Sequence, residues 1–465
     1  MPDQKVPEVA ILGEAQGPPG GHLTLRLCQI RLPLLVVFLV PPSSFVYSIC
    51  MMPSRQTWTL VGFLFIGGLS ASACVQSYDS GVSIPLLPLA GVEAETHPQY
   101  RGDPTHVGVA PSGTNLGDSL TLNWKSEALA IGDYTASKSS PAVDDDSVYI
   151  GVDDGRLHAL DKESGAILWS FETNRFESEK LWTGSDHRGI HGTPAVDDER
   201  VYIGDYDGYM YAVDKETGTL EWSSRIGHSV GASPVLYGDF VFIAVEFRYP
   251  DGQVFVLDAE TGKTIWSTPA LGNHPHSSVT IDPERGYFFV GANNGLFFCF
   301  DFVSKTEVWR VQTDDAIKST AAVDGDTVYI TSWDHKLYAI DIDSGRERFT
   351  VESQSRSMSS PSVFDGRVYF GSHDSKLYAV DADNGEELWV YDTGARIVSS
   401  PTVVEQNGLV VVGSKDKRVH LVDQQSGSGV QRLDLGSFVS SVPVATGAAL
   451  FVNDDSGTLW RFDAQ

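Results

Sequence analysis

The stretch 139–173, SSPAVDDDSVYIGVDDGRLHALDKESGAILWSFET, holds four short β-prone runs separated by turn residues. Pro141 to Val143 opens it, and Val148-Tyr149-Ile150-Gly151 follows an acidic turn at Asp144 to Asp146. Asp153-Asp154-Gly155 reads as a tight hairpin, because Asp-Gly supplies the positive φ angles that such turns need. Leu157-His158-Ala159-Leu160 alternates as a third strand. The turn Glu163-Ser164-Gly165 leads into a fourth run, Ile167-Leu168-Trp169.

The pattern Asp161-x-x-x-Gly165-x-x-x-Trp169 inside this unit recurs along the chain. It returns as Asp214–Gly218–Trp222, Asp258–Gly262–Trp266 and Asp381–Gly385–Trp389. Degraded copies stand at Asp301–Lys305–Trp309, Asp341–Gly345–Phe349 and Asp423–Gly427–Gln431. An interval of about forty residues marks a repeat architecture. Each signature residue has a structural task. Gly165 takes a left-handed conformation in the turn. Asp161 accepts hydrogen bonds from backbone N–H groups of that turn. Trp169 supplies an apolar face between neighbouring units. Neither the aspartates nor the tryptophans are therefore read as catalytic.

A Ser/Thr-Pro step opens most units, at Ser140-Pro141, Thr193-Pro194, Ser233-Pro234, Ser360-Pro361 and Ser400-Pro401. Ser278-Val279, Thr320-Ala321 and Ser441-Val442 are read as equivalent steps without proline, which makes eight starts. The first interval holds an insertion around Phe176–Gly189. The last unit ends at Gln465 without a fourth strand, and Ser119-Leu-Thr-Leu-Asn-Trp124 looks like that strand. The expectation is an all-β, eight-bladed β-propeller of four-stranded antiparallel blades, its N-terminal strand closing the last blade. Closure of this kind removes exposed sheet edges. Seven blades is the alternative, if one degenerate unit is not a blade.

These units resemble the repeat of the pyrroloquinoline-quinone (PQQ) propeller superfamily, Ala-x-Asp-x-x-Thr-Gly-x-x-x-Trp. Ala212-Val-Asp214-Lys-Glu-Thr217-Gly218-Thr-Leu-Glu-Trp222 matches it closely. The stretch Tyr100-Arg101-Gly102-Asp103-Pro104, continuing to Gly108-Val109-Ala110-Pro111, resembles the lead-in before many such propellers. The resemblance covers about residues 97–465. It implies the fold, and it leaves function open between quinoprotein dehydrogenases and BamB-like exported scaffolds. The dehydrogenase branch carries an adjacent Cys-Cys disulfide, whereas Cys28, Cys50, Cys74 and Cys299 are not adjacent here. No residue can be matched to that branch's calcium ligands or catalytic aspartate.

Residues 1–50 are read as a non-native extension. Residues 51–73 are read as a signal peptide, with Arg55, the apolar run Leu60–Leu69 and Ala71-Ser72-Ala73 before the cleavage point. Cys74 is the expected lipidation site, with plain secretion as the alternative. Residues 74–114 are read as that cysteine and a Pro-, Gly- and Ser-rich flexible tether, and residues 115–465 as the propeller. Either reading places the protein outside the cytoplasm, on the cell surface or secreted. Cys299 lies in the apolar run Leu296–Phe300 and is read as a small core residue.

The chain has 61 acidic and 33 basic residues, a formal net charge of −28. That balance resembles a halophile's surface, where salt screens self-repulsion, and suggests a haloarchaeal cell-surface protein. It speaks against nucleic-acid partners.

Against this acidity, the segments that lead into strand one of each blade carry Lys138, Arg188, His191, His228, His274, His276, Lys318, Arg356 and Arg396. These should cluster at one end of the channel, as an anion pocket or as charge balance for nearby aspartates. His274-Pro275-His276 offers two metal ligands, but no third is identifiable, so no metal is assigned. The hairpin acids Asp153-Asp154, Asp205, Asp207 and Asp454-Asp455 are explained by turns. No Gly-x-Ser-x-Gly elbow, Walker loop or His-Glu-x-x-His motif occurs. The expected function is that of a monomeric, non-enzymatic scaffold. It would bind a protein or cell-surface polymer partner, with no cofactor and with a membrane anchor at Cys74. The alternative is a quinoprotein oxidoreductase using PQQ and calcium.

Overall fold

The computed structural model describes residues 97–129, 139–173 and 189–465. Before them, within a separate unit spanning Met1–Leu87, it describes strands that include an antiparallel sheet of Tyr47–Pro53, Trp58–Ile66 and Leu69–Ser72. Cys74, Lys138, Arg188 and nearly all of the insertion after Thr173 lie outside the described residues.

From Pro88 onward the chain builds eight four-stranded antiparallel blades. The first, in order, is Ala142–Val143, Ser147–Val152, Arg156–Asp161 and Ile167–Glu172. The eighth is Val444–Thr446, Ala449–Asn453, Leu459–Ala464 and then Leu120–Lys125, so the propeller's first strand closes the ring as expected. The second and third strands of each blade are almost wholly buried, while the fourth alternates exposed and half-buried residues. An outermost strand has solvent along its free edge and blade contacts on one face, which produces that alternation.

The signature residues tie blade to blade. Asp214 Oδ1 accepts from the Thr217 backbone N–H at 2.7 Å and from its hydroxyl at 2.6 Å, fixing the turn. Gly218 follows with φ 68°. The Trp169 indole of the preceding blade lies on this glycine, and a Cβ there would stand 2.6 Å from the ring. The same indole donates to the Lys215 carbonyl at 2.9 Å. The pairs Trp124–Gly165, Trp222–Gly262, Trp309–Gly345 and Trp389–Gly427 repeat this contact. The glycine is thus required twice, for its φ and for the ring above it. In the fourth blade Lys305 takes the glycine's place with φ 59°, and Trp266 packs against Phe288 and Phe300 instead.

At the channel a belt of hydroxyls links the inner strands. The backbone N–H of Ser140 donates to Thr193 Oγ1 at 3.0 Å, that of Thr193 to Ser233 Oγ at 2.9 Å, and that of Ser233 to Ser278 Oγ at 3.0 Å. The relay continues through Thr320, Ser360 and Ser400. It closes where the N–H of Val442 donates to Ser140 Oγ at 2.9 Å. The eighth blade therefore opens at Val442-Pro443, one residue later than the Ser441-Val442 step read from sequence. Ser441 occupies the preceding position, with its hydroxyl on the Asn453 carbonyl at 2.6 Å.

The segment expected to be a free tether is docked from His97 onward. Backbone carbonyls of Pro98, Pro104, Thr105, Val107 and Gly108 accept from Val196, Ile281, Val323, Val363 and Val403 of successive blades. The Gln99 side chain receives the Leu236 N–H, and the Asn115 N–H bonds Gly447 in the last blade. Arg101 is buried, and its guanidinium donates to the carbonyls of His106, Ser360 and Pro361 and to Ser362 Oγ. Gly108 leaves room for that guanidinium, since a Cβ there would sit 2.0 Å from Arg101 Nη2. Tyr100 brings its hydroxyl to 3.2 Å from Ser360 and 3.3 Å from Ser400 in the belt. Composition alone read this stretch as a tether, because its many main-chain bonds leave no trace in residue type.

Candidate functional site

The belt divides the channel. Residues that follow it, such as Val363 and Val403, carry the docked segment. Residues that precede it face the other end, the mouth as the described residues form it.

Two positions before the belt stand His191, Gly231, His276, Lys318, Met358, Val398 and Ser440. They line a cavity of about 140 Å³ floored by Tyr100 and the belt hydroxyls. His228, His274, Arg356 and Arg396 precede the belt by four or five residues and belong to the rim above. The seven described cationic or titratable positions singled out in the sequence are therefore gathered at one end, in two tiers.

A second set of residues reaches the rim from the hairpin between strands two and three. In blades two and four to eight the backbone N–H of Tyr206, Asn293, Trp333, His373, Lys415 and Asp455 bonds a carbonyl of the segment leading to the belt. The sequence reading did not place these partners at the rim, because the position varies in residue type from blade to blade and its acids are accounted for by turns.

The rim is electrically two-sided. Along blades one to four, histidines meet acids. His191 Nε2 is 3.2 Å from Asp153 Oδ1, with its ring 4.3 Å from that of Tyr206. Glu246, the last residue of strand Phe240–Glu246, is buried and reaches both His274 and His276. Burial, then the charges of Glu246 and Asp153, push the Tyr206 phenol up. Burial and then Asp205 push the Asp207 carboxyl up to about 7. Asp205 is itself raised by burial, and its carboxylate accepts from the Thr173 hydroxyl.

Along blades five to eight, cations gather around two rings. Lys318 Nζ lies 4.2 Å and the Arg356 guanidinium 4.4 Å from the centre of Trp333, within cation–π range. Arg356 Nε donates to His373 Nδ1 at 3.2 Å. Burial, followed by Arg356, Arg396 and Lys415, lowers the His373 pKa to about 4. A neutral imidazole whose Nδ1 accepts must carry its proton on Nε2.

The quinone of the dehydrogenase branch is a tricyclic tricarboxylate. About 140 Å³ falls short of the roughly 300–1,000 Å³ that encloses a ligand of such size. The larger cavity, about 650 Å³, lies on the plugged side, and Asp144, Asp145, Asp146, Asp197, Asp198 and Glu216 on its wall repel carboxylates.

Eight blades, an Asp-Gly-Trp signature recurring through them in full or degraded form, a belt of hydroxyls and a docked lead-in define a β-propeller of the PQQ-repeat class. The chain belongs to the family described as outer membrane protein assembly factor BamB, which it matches over residues 108–306, 298–404 and 395–465. It is 29% identical to outer membrane protein assembly factor BamB of Nitrosomonas eutropha over 37% of this chain and 38% of that protein. It is 31% identical to lupanine 17-hydroxylase [cytochrome c] of a Pseudomonas species over 35% of this chain and 24% of that protein. The chain thus matches less than half the length of these relatives. The crystal structure of a quinohemoprotein alcohol dehydrogenase from Comamonas testosteroni superposes with a TM-score of 0.66 at 14% identity, covering 80% of this chain and 81% of that one. At that identity the likeness is one of fold.

Proposed function

We propose that this protein is an exported, lipid-anchored binding scaffold that holds a protein or cell-surface polymer at the open mouth of its propeller. The supporting observation is the docked lead-in with Tyr100 on the belt, which floors the channel and leaves a shallow cup above it. A shallow cup with acids and histidines on one side and cations over Trp333 on the other presents complementary charge to a chain lying across it. BamB relatives give the same reading by fold, and Cys74 supplies the anchor.

The test places a photo-crosslinking side chain at Met358, in the cup wall, in intact cells. A discrete crosslinked product is expected, weakened when Lys318 and Arg356 are both changed to alanine. The same probe at Asp145, on the plugged side, should give none. Equal labelling from both faces, or none from Met358, would contradict the proposal.

A further inference from the structure

The sequence offers two histidines without a third ligand, and the fold supplies it. Glu246 Oε2 lies 3.4 Å from His274 Nδ1, and Glu246 Oε1 lies 3.1 Å from His276 Nδ1. One ligand atom from each residue falls within 4.8 Å of the other two. Nitrogen and carboxylate ligands about 2.0–2.2 Å from a zinc-type ion stand roughly 3.0–3.5 Å apart at tetrahedral or octahedral angles, which matches these separations.

The hydrogen bonding of His274 sharpens the argument. Its Nε2 is 3.0 Å from the Phe247 carbonyl, and a carbonyl only accepts, so Nε2 carries the proton. In the neutral imidazole the lone pair on Nδ1 then points at a carboxylate oxygen. Two lone pairs facing each other repel, and either a proton on Nδ1 or a metal ion shared between them removes the conflict. A backbone carbonyl fixing the far nitrogen of a histidine is also the usual outer support of a metal ligand.

The surroundings hold the three residues in place. Glu246 ends a buried strand, and its backbone N–H and C=O are bonded to Ser229 and His228. Pro275 lies on Gly252, where a Cβ would come within 2.2 Å of its Cδ. The Asn273 side chain accepts from the His274 N–H at 2.8 Å, and the His274 carbonyl accepts from Asn293. His276 also lines the cup, so positions left open on an ion would face the mouth.

The geometry points to a mononuclear site for a divalent first-row transition ion, held by Glu246, His274 and His276 at the rim of the channel. Two imidazoles and one carboxylate favour zinc-class ions over the oxygen-loving calcium. The site is independent of which partner the mouth receives.

Zinc titration of the full-length, chelator-stripped protein by calorimetry tests it, with cobalt(II) as a coloured substitute. The expected result is one ion per chain and visible cobalt absorption bands. His276→Ala and Glu246→Gln should each weaken binding at least tenfold with unchanged circular dichroism. Replacing His335, an exposed histidine on the fifth blade, should change nothing. If Glu246→Gln fails to fold, His276→Ala decides the matter, since His276 is only partly buried. No saturable site in the parent protein, or the same affinity and cobalt spectrum in His276→Ala, would overturn the assignment.

Discussion

Gly218 shows how a single residue carries both conformation and packing. It sits at φ 68° beneath the Trp169 ring, where a Cβ would stand only 2.6 Å from the ring atoms. Gly218→Ala therefore combines left-handed strain with a clash, and should cost about 1–3 kcal/mol in chemical denaturation. Gly366→Ala, where φ is 68° and no atom lies within 4 Å, should cost only the conformational part. The signature was legible in the sequence because both demands recur in most blades. Residue chemistry at the mouth was legible only in part. Lys318, Arg356 and Arg396 stood out as periodic cations, whereas Glu246, Trp333 and His373 did not, since no neighbouring blade repeats them. Asp207 offers a second test at this scale. Its folded pKa of about 7 lies above the ordinary carboxylate value, so the folded state binds its proton more tightly than the unfolded chain. The stabilisation is present below the unfolded pKa and is lost as pH rises from about 4 to about 7. Asp207→Asn should flatten that part of the stability–pH curve, as followed by urea unfolding at fixed salt. An unchanged slope would contradict the burial of this carboxyl beside Asp205.

The closing strand, Leu120–Lys125, illustrates the element scale. It was recognised from Trp124 and from the unit that lacks a fourth strand at the C-terminus. How it is clamped was not visible. Gln431 occupies the tryptophan position of the seventh signature and looks like decay. Its amide instead accepts from the Leu120 N–H at 2.9 Å and donates to the Leu120 carbonyl at 2.8 Å. Gln431→Ala should leave both backbone groups without their partner and cost about 1–3 kcal/mol, with hydrogen exchange rising first in Leu120–Lys125. The docked lead-in is the element that composition misread. Its Pro- and Gly-rich character suits a tether, yet Arg101, His106 and Tyr100 are chosen for contacts far away in sequence. A single chain shows such long-range pairing only once it is folded.

At the scale of the whole molecule, repeat number, strand order and ring closure all follow from local patterns read in series, which is why they were accessible from sequence. The depth of the channel does not follow from the repeats. It depends on one non-repeating segment hydrogen-bonded to seven blades, which floors the channel. In the proposed role this cup receives a partner rather than a quinone. Titration of the purified full-length protein with PQQ and calcium, followed by calorimetry and absorbance, addresses it most directly. No saturable binding by demonstrably folded protein is the predicted result. Saturable binding that disappears in the Arg356→Ala, Arg396→Ala double variant would contradict the claim and make this propeller a quinoprotein.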